Sequence, residues 1–238
     1  MKKILMTIMM TAVAHSAFSA VIVTYSSSVP TEDIMMSVPL PPSANRGGNT
    51  WKWSEATQPY NEVGQLFTSD FAFELESIAL YTAGASPAGG YTRTFTLFID
   101  EFTGATLNGG RTTVWSQTGV LPSLGVGAQY VNFDLGESVA VEANKIYGFR
   151  LAFNEQTPNS SMAITLSTLG TQPFGEHFYY YNPSVSANLI AIPTQSAVYY
   201  MTGVAIPEPG AALLGVLGGI GLMLGHTGCG RRKKKNVI

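Results

Sequence analysis

Few residues in this chain could carry chemistry, and their spacing decides what that chemistry could be. Glu74 and Glu76 stand two apart in an apolar run, which in a strand puts both carboxylates on one face with about 7 Å between their Cα atoms. A glycoside-hydrolysing pair spans a comparable distance, but it must flank the scissile bond, whereas neighbours on one strand stand side by side. The expected role of the pair is therefore a solvated strand face, and Asp100 and Asp134 complete the carboxylates on which a carbohydrate-active enzyme would have to rest. Between Val21 and Ile206 there is one histidine, His177, and no nucleophile-elbow motif, so no Ser-His-Asp triad is expected. The only cysteine, Cys229, lies in the C-terminal tail, which leaves the rest without a disulfide, a thiol nucleophile or a transition-metal cluster. No EF-hand loop is present; Asp100-Glu101 beside Gly104 is the nearest hint of a structural calcium, and neither metal nor cofactor is expected.

Aromatic residues are the other chemical resource. Trp51 and Trp53 share a face if their segment is extended, and Tyr179-Tyr180-Tyr181 and Tyr199-Tyr200 form runs in which alternation sends some rings outward. An exposed ring can stack on the apolar face of a sugar, so Trp51, Trp53, Tyr179 and Tyr181 are the candidate glycan contacts. The competing expectation, and the favoured one, is that most of these rings close the ends of a core.

The elements that must position these residues read as strands. Phe95, Leu97 and Ile99 alternate with Thr94, Thr96 and Asp100; Val131, Phe133 and Leu135 with Asn132 and Asp134; and Tyr147, Phe149, Leu151 and Phe153 with Gly148, Arg150 and Ala152. Further strands are expected over Val21–Tyr25, Gln65–Thr68, Ala72–Thr82, Thr112–Thr118, Val139–Glu142, Met162–Thr168, Glu176–Tyr181 and Ala197–Val204. A turn at Ala143-Asn144-Lys145 precedes a late strand, and loops at Gly84–Gly90, Gly104–Gly110, Ser123–Gly127, Thr157–Ser161 and Asn182–Pro193 are where a binding site would be built. Pro30, Pro39, Pro41 and Pro42 with Gly47-Gly48 mark a segment too punctuated for regular structure. The expectation is an all-β chain, a jelly-roll-like antiparallel β-sandwich over 51–205 preceded by a strand and a Pro/Gly-rich loop over 21–50.

Both ends carry addresses. Met1-Lys2-Lys3, the apolar run Ile4–Ala14 and the small residues of Ala17-Phe18-Ser19-Ala20 form a secretory signal peptide over 1–20, cleaved after Ser19 or Ala20. At the other end Pro207-Glu208-Pro209 should stand as an exposed extended segment, because two prolines fix φ and remove two backbone donors. The unbroken apolar run Ala211–Gly225 makes about 22 Å of helix against the ~30 Å hydrocarbon core, so this single transmembrane helix spans with help from uncharged His226–Gly230 and from snorkelling basic side chains. Arg231, Arg232, Lys233, Lys234 and Lys235 then set a cytoplasmic C-terminus by the positive-inside rule.

That order, proline-acid-proline, apolar span, basic cluster, resembles the PEP-CTERM sorting signal of Gram-negative bacteria over 206–235. The resemblance implies that an exosortase, a membrane-embedded cysteine protease-like enzyme, recognises Pro207, Glu208 and Pro209 and releases the chain outward, in cells that make exopolysaccharide. The chain would be exported through the inner membrane, held there transiently and passed to the cell surface or matrix as a non-enzymatic structural or adhesive component. A carbohydrate-binding module is the alternative, and a carbohydrate-active enzyme a weaker one. Between Val21 and Ile206 six Lys or Arg stand against fourteen Asp or Glu, a net charge of −8, which argues against nucleic acid as a partner and leaves polysaccharide or protein.

Overall fold

The computed structural model describes residues 20–29, 33–52, 62–86, 93–104, 106–121, 129–153, 161–168, 175–181, 186 and 188–207. Fourteen strands form among them. They are β1 Ile22–Ser26, β2 Ile34–Val38, β3 Arg46–Lys52, β4 Glu62–Thr68, β5 Phe73–Ser86, β6 Arg93–Phe102 and β7 Arg111–Leu121. There follow β8 Gln129–Val141, β9 Ile146–Phe153, β10 Ser161–Thr168, β11 Phe178–Tyr181, β12 Ile190–Ile192, β13 Gln195–Ala197 and β14 Tyr199–Ala205. Every strand pairing is antiparallel. A six-stranded sheet runs β12-β11-β4-β9-β6-β7; an eight-stranded sheet runs β1-β8-β5-β10-β13, with β14 joining β5 to β2 and β3 pairing β10.

Alternation explains why the sheets stack. Phe95, Leu97 and Ile99 of β6 and Tyr147, Phe149 and Leu151 of β9 point to one buried face, and Val131, Phe133 and Leu135 of β8 meet them from the other sheet in one core cluster. Edge-to-face rings stitch the layers: Phe95 to Phe133 at 5.4 Å between centroids, and Phe149 to Tyr199 at 5.8 Å. A polar link crosses the same space. Gln65 of β4 is wholly buried; its amide nitrogen, Nε2, donates to the carbonyls of Leu66 and Glu176, and its Oε1 accepts from the N–H of Ala197 in β13 at 2.7 Å. At one corner the sheets touch directly, where the Val21 N–H donates to the Thr118 carbonyl at 3.0 Å.

The expected strands over Thr94–Asp100, Tyr130–Leu135 and Ile146–Phe153 are all present. Two expected strands, Tyr130–Leu135 and Val139–Glu142, fuse into β8, while Ala197–Val204 divides into β13 and β14. Asn144 takes φ 61° in the anticipated turn, and its N–H donates to the Ser69 carbonyl at 2.7 Å. Two expectations are corrected. The segment 21–50 is not a strand followed by an irregular loop outside the sandwich: β1, β2 and β3 all pair within the eight-stranded sheet, and Gly47 and Gly48 lie in β3 opposite Leu166 and Thr165. Proline there ends strands without preventing them, because Pro39, Pro41 and Pro42 fall between β2 and β3 and remove no ladder donor. The loop expected over Asn182–Pro193 likewise contains β12. The expected signal peptide over 1–20, apart from Ala20, and the expected sorting tail from Glu208 onward lie outside the described residues, and among those described no helix is long and apolar enough to cross a membrane.

Two tyrosines buried in this packing give it a pH limit. Burial pushes the hydroxyls of Tyr179 and Tyr199 far above their ordinary value, and the nearby carboxylates Asp100 and Glu176 push the same way. Their folded-state values exceed the unfolded one, so the stability they contribute is complete below about pH 10 and falls as the unfolded chain ionises above it, by up to about 1.4 kcal/mol per pH unit for each ring. Urea-unfolding midpoints measured from about pH 8 to about pH 11 should be level and then drop; a level profile throughout contradicts burial of both hydroxyls.

Candidate functional site

The outward face of the six-stranded sheet is built around a charged group that few sheets carry. Arg150 sits at an outward position of β9, between Gly64 of β4 and Phe98 of β6. It is nonetheless 6% exposed. Its Nε donates to Asp100 Oδ2 at 3.1 Å, its Nη1 donates to Glu62 Oε2 at 2.7 Å, and its guanidinium carbon lies 3.8 Å from the centre of the Phe98 ring. Asp100 is itself fully buried, and Thr113 Oγ1 donates to its other oxygen at 2.6 Å. Burial alone would lower the guanidinium's pKa; Glu62 and Asp100 together outweigh it and hold it above its usual value.

Beside this network lies a second apolar cluster on the outer face: Leu66, Phe102, Leu107 and Tyr179. Glycine makes it fit. The Tyr179 ring crosses the backbone at Gly64, where a Cβ would collide with the ring and with the Phe149 carbonyl. At Gly148 a Cβ would meet Phe102 at 3.0 Å and the Tyr179 hydroxyl at 3.1 Å. The loop after β6 folds over the cluster and brings Leu107 down onto it. Asn108 then docks on the strand side like a strand neighbour, its Nδ2 donating to the Leu189 carbonyl at 3.2 Å and its Oδ1 accepting from the Leu189 N–H at 3.0 Å. Between this loop and the sheet opens a cleft of about 310 Å³ lined by Glu62, Asn108, Arg111, Tyr181 and Leu189.

The candidate sugar contacts separate here. Tyr181 is half-buried and lines the cleft beside two charged groups and an amide, an arrangement able to stack on a pyranose and hydrogen-bond its hydroxyls. Tyr179 is corrected: it is fully buried, its hydroxyl donates to the Phe149 carbonyl at 3.2 Å, and no ligand reaches it. Trp51 belongs to β3, with its backbone opposite Met162, and Trp53 lies outside the described residues. Glu62, Asn108 and Arg111 were not singled out by sequence; they share the cleft only because the loop folds back. Arg150 had a signal, a lone cation inside an alternating apolar strand.

The carboxylates separate too. Asp100 is committed to Arg150 and Thr113, and Glu101 pairs with Lys145 at 3.3 Å. Glu74 and Glu76 both lie on the outward side of β5, as expected, but the regular spacing between them is broken. The inward residues of β5 run Phe73, Leu75, Ile78, Leu80, and alternation slips by one residue at Glu76. That slip makes Glu76 an extra residue of β5 and sets it in a depression that Asp134 lines and Glu74 does not, on the outer face of the eight-stranded sheet. Among the described residues no group of three His, Cys, Asp or Glu side chains is placed to hold a metal ion. No family model, no curated protein and no solved structure matches the chain.

The fold requires the ion network to be complete. Replacing Arg150 by Met should cost about 3–5 kcal/mol in urea unfolding, because it strands the buried Asp100 carboxylate, whereas adding Asp100→Leu and Glu62→Gln should restore most of that loss. A loss below about 1 kcal/mol for Arg150→Met alone would contradict the desolvated geometry.

Proposed function

We propose that the protein is an exported, non-enzymatic component of the cell surface or exopolysaccharide matrix, delivered there by an exosortase acting on its C-terminal signal, with a structural or adhesive role. The observation that carries this reading is where the sandwich lets go of the chain. The Ile206 N–H donates to the Ala72 carbonyl at 2.9 Å, and the next residue, Pro207, is exposed. The proline-acid-proline segment thus begins one residue after the last sheet contact, as a processing enzyme that grips extended backbone requires. The acidic exported part and the signal peptide support the same route. A jelly-roll-like assignment of the sandwich belongs to the proposal as well, supported by the way successive strands cross between layers from β4 to β6 and from β7 to β11.

Cell fractionation tests the sorting. In a strain with an active exosortase the protein should appear at the surface or in the matrix, and the Pro207→Ala, Glu208→Ala double variant should stay in the inner-membrane fraction. Permanent inner-membrane residence of the unaltered protein, whether or not the enzyme is present, overturns the reading.

A glycan-binding role is the second reading, favoured by the opening of Tyr181 into the cleft beside Asn108 and Arg111. Truncating this ring to Ala should weaken binding of the purified protein to its polysaccharide by about 1–3 kcal/mol while leaving the unfolding midpoint in place. Binding that survives Tyr181→Ala unchanged excludes the cleft.

A further inference from the structure

The outer face of the eight-stranded sheet carries a larger feature, and strand register shows how it is built. Strands β1, β8, β5 and β14 are neighbours, so Ile22, Asp134, Ser77 and Thr202 form one rung across the face. Thr24, Asn132, Ala79 and Tyr200 form the next, and Ser26, Tyr130 and Tyr81 a third. The third rung is aromatic, with Tyr81 and Tyr130 edge-to-face at 5.0 Å and Tyr130 against Tyr200 at 5.1 Å. The first is polar, and the Ser77 and Thr202 hydroxyls hydrogen-bond each other at 2.6 Å.

Beyond the polar rung the ladder breaks in adjacent strands at one level. The register slips between Leu75 and Ser77 against β8, between Thr202 and Gly203 against β5, and between Met201 and Thr202 against β2. On β8 the excess chain turns at Gly136, with φ 72°, and the Gly136 N–H is held by Asp134 Oδ1 at 2.9 Å. Coincident bulges dish the sheet. The result is a depression of about 620 Å³ continuing into one of about 410 Å³, the two sharing Ser77, Asn132 and Thr202 as floor. Together they cross from β1 to β14, three inter-strand spacings, or roughly 14 Å at about 4.8 Å each, which is the length of about three pyranose units.

The lining specifies a chemistry. Ser and Thr hydroxyls and one amide alternate with Glu76, Asp134 and Glu137, and no Lys or Arg is among the lining residues. Val29, just beyond β1, and Tyr200 of β14 supply apolar surface. The Asn132 amide oxygen is screened from water and has no hydrogen-bond partner among the described residues, a cost that a ligand hydroxyl would offset after a small rotation of the amide. A chain rich in hydroxyl donors fits carboxylate and amide acceptors, whereas a polyanion would meet like charge with no cation to offset it. We propose that this trough binds an extended stretch of neutral polysaccharide, about three sugar units long, without cleaving it. Glu76 and Asp134 stand exposed to water, unlike an acid enclosed in an apolar pocket, which is why binding rather than hydrolysis is assigned. The trough is independent of the sorting signal and lies on the sheet opposite Tyr181, so neither reading falls with the other.

Affinity gel electrophoresis of the exported protein tests the assignment, with dextran, galactomannan and hydroxyethylcellulose as neutral polymers and alginate and polygalacturonate as acidic ones. At least one neutral polymer should retard the protein and neither acidic polymer should. Asn132→Ala with Thr202→Val should weaken that binding at least about tenfold, about 1.4 kcal/mol, and Glu76→Gln at the exposed bulge should weaken it with no change in urea midpoint. Tyr181→Ala should leave it intact. The proposal is overturned if no neutral polymer retards the protein, if alginate retards it equally, if the trough variants bind as the unaltered protein does, or if new reducing ends appear.

Discussion

Contact between the inward faces of the two sheets is the constraint on which every other feature depends. Phe95 meets Phe133, and Phe149 meets Tyr199, each pair joining a strand of one sheet to a strand of the other. Because those rings must stay buried, the residues between them must face out, and the outer surfaces are defined before any ligand is considered. The Gln65 amide adds direction to this apolar contact. Hydrogen bonds made only when β4 and β13 stand at one relative position select a single stacking, as close-packed side chains alone would do less sharply.

The two outer faces use that freedom differently. On the six-stranded sheet, Arg150 could not be left bare at the centre of a face; two carboxylates and the Phe98 ring enclose it, and the loop carrying Leu107 and Asn108 roofs the neighbouring apolar patch. The cleft at Tyr181 is the gap left at the edge of that roof. On the eight-stranded sheet none of the described residues roofs the polar rung. Bulges in adjacent strands hollow the surface, and the hollow keeps its hydroxyls, its amide and its acids.

Period-two alternation made the strands legible, and it made the inward residues of β6, β8 and β9 legible one by one. It failed where strands slip. Nothing in Phe73-Glu74-Leu75-Glu76-Ser77 marks Glu76 as an extra residue, because the slip is imposed by β8 and β14, which come from far along the chain. Pro/Gly punctuation failed for a related reason: β2 and β3 are stabilised by β14 and β10, partners more than a hundred residues away, and local propensity does not report such partners. Tyr179 shows the limit of alternation itself. Its outward position was right in parity, yet a roofing loop and the glycine bed at Gly64 and Gly148 converted an outward ring into a buried one.

The proposed sorting role rests on the sequence of the tail, and the sandwich ends just before it. A domain whose last sheet contact comes from Ile206 presents Pro207 to whatever acts on the tail. The most direct test is the intact mass of the protein recovered from the cell surface or matrix of an exosortase-containing strain. The expected mature chain begins at Ala20 or Val21 and ends close to the Pro207-Glu208-Pro209 segment, without the apolar run or Arg231–Lys235. A mass that includes Arg231–Lys235 and the residues up to Ile238 would contradict it.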